Sequence, residues 1–66
     1  MKIEFDKEAN AAYIYLKDKI KSGEAKKQIC VSDEIIIDLD SNDKILGIEI
    51  LNAKKNLSKI PQNLEV

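Results

Sequence analysis

Between Ile35 and Ile50 the chain reads Ile-Ile-Ile-Asp-Leu-Asp-Ser-Asn-Asp-Lys-Ile-Leu-Gly-Ile-Glu-Ile, two β-branched runs around a polar centre. β-Branched side chains favour the pleated, extended chain. Ser41, Asn42 and Asp43 are residue types that bond their own backbone in tight turns. The pattern predicts a hairpin about Ser41-Asn42-Asp43, with Ile35, Ile37 and Leu39 on one face of the first strand. Leu46, Ile48 and Ile50 alternate with Gly47 and Glu49 in the second.

The same stretch fits the spacing of a calcium loop. Asp38, Asp40 and Asn42 stand at the first, third and fifth positions, Lys44 at the seventh and Glu49 at the twelfth. The sixth position, however, holds Asp43 where the sharp turn of that loop uses glycine, and the flanks are strands where helices are required. We therefore read a polar hairpin and expect no metal or other cofactor. A third arrangement sets Asp38 and Glu49 on one sheet face, opposite Ile37 and Ile48. Paired carboxylates can move protons, but like charges on neighbouring strands cost stability unless relieved. No third group nearby in sequence suggests a nucleophile or an oxyanion site, so no catalytic residue is assigned.

The remaining elements follow from the same period of two. Ile3 and Phe5 share a face in residues 2–6, Asp6 to Asn10 form a five-residue connection, and Ala11 to Leu16 resume an extended run. Ala12, Ile14 and Leu16 face one way and Tyr13 and Tyr15 the other. That tyrosine face is either covered by a loop or helix, or buried at an interface where the hydroxyls stay wet. Residues 17–28 are charged and form a long connection. A third strand follows around Ile29 and Val31, with Cys30 expected as a buried structural thiol. Asn52 stands where a helix N-cap is wanted, and Ala53, Leu57 and Ile60 recur at helical spacing before Pro61.

With 66 residues, this is one small domain over residues 1–60 and a short tail over 61–66, and chains of this size bury only about 60% of their unfolded surface. A second copy or another partner is a natural supplement. Eleven lysines face twelve carboxylates, a net charge of −1, which gives no basic field for direct nucleic-acid binding. Arginine is absent, and with it the bidentate fork for phosphate or guanine. Histidine is absent too, which excludes Ser-His and Cys-His pairs. There is no apolar span for a membrane, no second cysteine and no signal-like start, so the cytoplasm is the expected compartment.

Three blocks carry a family resemblance: Ile3-Glu4-Phe5-Asp6 continuing through Glu8-Ala9-Asn10-Ala11 and Tyr13-Ile14, then Ile36-Ile37-Asp38-Leu39-Asp40, then Ile45-Leu46-Gly47-Ile48-Glu49-Ile50-Leu51-Asn52-Ala53. In order and spacing, over about residues 1–55, they resemble DUF2283, a small bacterial and archaeal domain of unknown function. That family usually has aspartate where this chain has Asn10, and often where it has Asn52. Turn and cap roles suit either residue; a metal or acid-base role there does not survive the change. The resemblance brings no established activity, cofactor or catalytic residue. Genes for similar domains often neighbour those of small proteins resembling toxin ribonucleases, which implies a small toxin-like partner and an antitoxin role.

These readings combine into an α+β, mostly β domain: an antiparallel meander of about five short strands with one short C-terminal helix. Its expected role is a non-catalytic protein-interaction module, self-associating as a homo-oligomer with a dimer favoured. The expected interaction surface comprises Tyr13, Tyr15, Asp38, Asp40, Asp43 and Glu49. Two alternatives remain: a small-molecule or metal-binding domain or enzyme using the Tyr13, Tyr15, Asp38 and Glu49 face, and a purely structural homo-oligomer.

Overall fold

The alternation that starts at Lys2 resolves into a five-stranded antiparallel sheet in the computed structural model, which describes residues 2–60. The tail expected at 61–66 lies outside the described residues. The strands are β1 (Lys2–Asp6), β2 (Ala11–Tyr15), β3 (Lys27–Cys30), β4 (Ile35–Leu39) and β5 (Ile45–Leu51), followed by the short helix α1 (Ala53–Asn56). This is the α+β, mostly β architecture the alternation predicts.

Strand order across the sheet is β1-β2-β5-β4-β3. The sheet is therefore not the simple meander expected: two serial runs, β1-β2 and β3-β4-β5, are joined by β2 pairing with β5, and the long connection after β2 passes two strand positions to reach β3. Gly23, with φ +78, lies in that connection, whose Lys17 and Glu24 side chains form an ion pair. Strand β5 is central, and β1 and β3 are the edges. No helix among the described residues is long and apolar enough to cross a membrane.

Each hairpin is closed by its own polar side chains. Asp6 Oδ1 accepts the backbone N–H groups of Glu8 and Ala9 at 3.0 and 3.1 Å, and Asp40 Oδ1 accepts those of Asn42 and Lys44 at 2.8 and 3.0 Å. Asp43 takes a left-handed backbone, φ 64, in the β4–β5 turn. An aspartate there substitutes for the glycine such a turn usually holds. The pairing Asp38↔Gly47 steps to Leu39↔Ile45, so Leu46 is the extra residue of a β-bulge.

The registers separate two faces. Ile3, Phe5, Ala12, Ile14, Ile48, Ile50, Ile35, Ile37, Leu39 and Ile29 share the apolar face. Its packed centre is Ala12, Ile50 and Ala53, against which Phe5, Ile14, Ile48, Leu57 and Ile60 are laid. Residues 53–60 therefore cover the β1-β2-β5 half of that face.

Three local expectations change. The helix is one turn long, because Leu57 is already extended at φ −105, ψ 133, yet Leu57 and Ile60 still reach the core. Asn52 precedes the helix but does not cap it: its backbone is left-handed, φ 51, where a capping residue is normally extended. The cap comes from across the fold, where Asn10 Oδ1 accepts the Lys54 N–H at 3.0 Å. Cys30 is exposed and not buried, because β3 is an edge strand whose residues are all exposed.

Candidate functional site

The opposite face carries the polar residues, and Tyr13 is at its middle. Antiparallel register places Tyr13 between Glu4 on β1 and Glu49 on β5, with Tyr15 beside Gly47. A side chain at Gly47 would occupy the Tyr13 ring: an ideal Cβ there would be 2.5 Å from Tyr13 Oη and 2.6 Å from Cε2 and Cζ. Glycine inside a strand is a sign of close approach, and here the approaching group is a phenol. The ring crosses Gly47 to reach β4, where Tyr13 Oη donates to Asp38 Oδ2 at 2.8 Å.

Asp38 is only 5% exposed, so its charge needs partners. Gln28 on β3 supplies the second donor, its Nε2 lying 2.9 Å from Asp38 Oδ1 and 3.3 Å from Glu49 Oε2. Asp38 and Glu49 are diagonal neighbours, since Asp38 faces Gly47 and Glu49 faces Ile36. On the outer side, Tyr15 Oη donates to Glu4 Oε1 at 2.5 Å and the Lys2 ammonium sits 4.8 Å from the Tyr15 ring centre. The two tyrosine rings meet edge to face at 4.6 Å.

Burial, with the Asp38 bond and the negative charges of Asp38 and Glu49, pushes the Tyr13 phenol well above its ordinary value near 10. Burial, with the neighbouring Asp38, also raises the Glu49 carboxyl. Glu4 moves the other way, held low chiefly by the Tyr15 hydroxyl and then by Lys2. A phenol this hard to ionise is no base or nucleophile at neutral pH. Its proton is already committed to Asp38.

Tyr13, Tyr15, Asp38 and Glu49 are thus brought onto one face. Tyr13, Tyr15, Glu49 and Ile20 border a shallow, open depression that Asp38 does not line. Asp40 and Asp43 are elsewhere, in the β4–β5 turn. Asp40 is occupied by backbone donors, which hold its carboxyl below the usual range, and Asp43 pairs with Lys27 at 2.5 Å. Of the expected carboxylates, Asp38 and Glu49 are thus on the sheet face and Asp40 and Asp43 in the turn. Among the described residues no three carboxylate or thiol side chains converge as a metal cage would need.

Gln28, Gly47 and Glu4 belong to this network and were not singled out in the sequence. Gly47 was readable as an anomaly in a strand; Gln28 had no local signal. A second surface was likewise unforeseen. On the β4-β3 half of the apolar face, Lys27, Ile29, Ile37, Leu39, Asp43 and Ile45 line an open groove of about 780 Å³. Ile29, Val31 and Ile45 are 51%, 61% and 46% exposed.

Fold and faces define a small α+β domain built on one antiparallel sheet, with a self-bonded tyrosine–carboxylate face and a half-covered apolar face. The chain belongs to the DUF2283 family, a protein family of unknown function, which it matches over residues 2–54. It is 40% identical over 55 residues to the uncharacterized protein MJ0789 of Methanocaldococcus jannaschii (strain ATCC 43067 / DSM 2661 / JAL-1 / JCM 10045 / NBRC 100440). The match covers 83% of this chain and 43% of that protein, so the chain spans less than half of its relative's length. No solved structure matches it.

Proposed function

We propose that this domain is a non-catalytic protein-interaction module whose open apolar half-sheet is covered by another polypeptide. The observation that carries this reading is the groove over β3 and β4, which is open among the described residues. A sheet with one apolar face needs a second layer, and residues 53–60 supply it to only half of that face. Exposed isoleucine and valine gathered at one place mark a contact surface more often than scattered ones do.

The alternative of a ligand site or enzyme on the tyrosine face has less behind it. Its hydroxyls and carboxylates bond one another, and the depression beside them is shallow. The toxin-like nuclease that the family resemblance implies would be recognised through carboxylates, and here Asp40 is engaged by its own turn and Asp43 by Lys27, which leaves that reading less support.

Amine cross-linking of the full chain in its cells tests the proposal, because Lys27 rims the groove. Adducts through Lys27 that disappear when Ile29→Gln and Ile45→Gln are combined are the expected result. An adduct pattern identical in both proteins would sink it.

A further inference from the structure

The geometry points to a second copy of this chain as the occupant of the groove, in a face-to-face dimer about a two-fold axis parallel to the strands. This rests on the interaction reading above. The apolar face is stepped: residues 53–60 raise its β1-β2-β5 half, and among the described residues its β4-β3 half holds an open groove beside Ile29, Ile37 and Ile45. Turning a copy by 180° about an axis along β5, between two facing sheets, sets the raised half of each on the open half of the other. The two 53–60 segments then lie side by side in one layer, and the arrangement closes with no further copy able to add.

Area and charge both suit this partner. The long dimensions of the domain, 31 and 25 Å, bound the face at about 800 Å², so a second copy of the same outline reaches the area a standard interface buries on each side only by using the whole face, as this arrangement does. A net charge of −1 opposes self-association little, and the charges at the groove rim, Lys27 and Asp43, already neutralise each other. Among the described residues Ile29 and Ile45, both about half exposed, are placed by register on this same face, whereas the exposed Leu51 is on the other.

Sedimentation of the full chain at about 100 µM, well above the dissociation constant expected for an interface of this size, is the test. The expected mass is twice the 7.5 kDa of one chain. Mixed isotopically labelled and unlabelled copies should give cross-links from Lys27 of one copy to Lys59 of the other. Combining Ile29→Gln and Ile45→Gln, both at exposed positions that leave the monomer folded by circular dichroism, should raise the dissociation constant about thirtyfold or more, because the two-fold counts each lost contact twice. Leu51→Gln, on the opposite face, should leave it unchanged.

A native chain of monomer mass, or a dimer indifferent to the two isoleucine changes, overturns the proposal. If the monomer still shows groove-dependent Lys27 adducts to a different polypeptide, only the second copy is refuted. If those adducts are missing too, the interaction reading falls with it.

Discussion

Gly47→Ala is the sharpest probe of the polar face, because the space for one methyl group is already filled by a ring. The added Cβ would stand 2.5 Å from Tyr13 Oη and 2.6 Å from two ring carbons, about 1 Å inside ordinary contact distance. The ring has to leave, and the 2.8 Å bond from Tyr13 Oη to Asp38 goes with it. Hydrogen bonds to charged groups contribute about 1.5–3 kcal/mol, and Asp38, at 5% exposure, would retain Gln28 alone. Against this, alanine is better than glycine in a strand interior by roughly 0.5–1 kcal/mol. The net expectation is a loss of about 1–2 kcal/mol in urea denaturation.

A second background isolates the cause. In Tyr13→Ala the obstructing ring is gone, so adding Gly47→Ala should restore the roughly 0.5–1 kcal/mol of strand propensity. The coupling between the two positions is therefore the quantity to measure. Ultraviolet titration gives an independent reading, since a displaced Tyr13 phenol should ionise closer to its ordinary value near 10. Equal costs for Gly47→Ala in both backgrounds would refute the packing argument.

The carboxylates give pH-dependent predictions of opposite sign. Glu49 has its carboxyl raised in the folded state, so its contribution is fully present below its ordinary value near 4.5 and is lost as pH rises through the raised one. Glu49→Gln should accordingly be more stable than the native chain at pH 7, with the gap closing by pH 4; denaturation at both values checks this, and a variant less stable at pH 7 contradicts it. Glu34 accepts bonds from Lys55, Asn56 and Asn52, which lower its carboxyl from 4.5 to about 2. Glu34→Gln should be destabilising at neutral pH, and the difference should fade as pH drops from about 4.5 toward 2, followed by the same assay. Asn10→Ala removes the cap on Lys54 and puts alanine at φ 53, for a loss of about 1–3 kcal/mol. Asn10→Gly keeps the backbone and should lose less; equal losses in thermal melts would show that the cap, not the left-handed backbone, accounts for the effect.

What could be read in the sequence was what neighbours along the chain decide. The β4–β5 hairpin was legible because Ile35, Ile37 and Leu39 alternate on one side of the turn and Ile48 and Ile50 on the other, the bulge at Leu46 aside, and Asp40 closes its own turn. The pairing of β2 with β5 was not, since Ala12 and Ile50 are far apart in the chain and only the three-dimensional packing ranks that pairing above a serial one. Asn52 shows the same limit at a single residue. Its identity suits a cap, but the left-handed backbone that leads β5 into α1 turns its side chain to Glu34, and Asn10 takes its place across the turn.

Asp38 carries the point into the candidate site. Its spacing from Asp40, Asn42 and Glu49 suggested a shared ligand, yet strand geometry sends Asp38 to the sheet face and Asp40 into the turn. Once on that face and nearly buried, a lone carboxylate requires donors, and Tyr13 and Gln28 arrive from β2 and β3, on either side of the β4–β5 hairpin. The group that looked most like chemistry therefore ties three strands together. That leaves the apolar face, whose β3 side remains uncovered among the described residues, as the surface with unmet need. The proposed interaction role accordingly rests on what has yet to be buried more than on what could ionise.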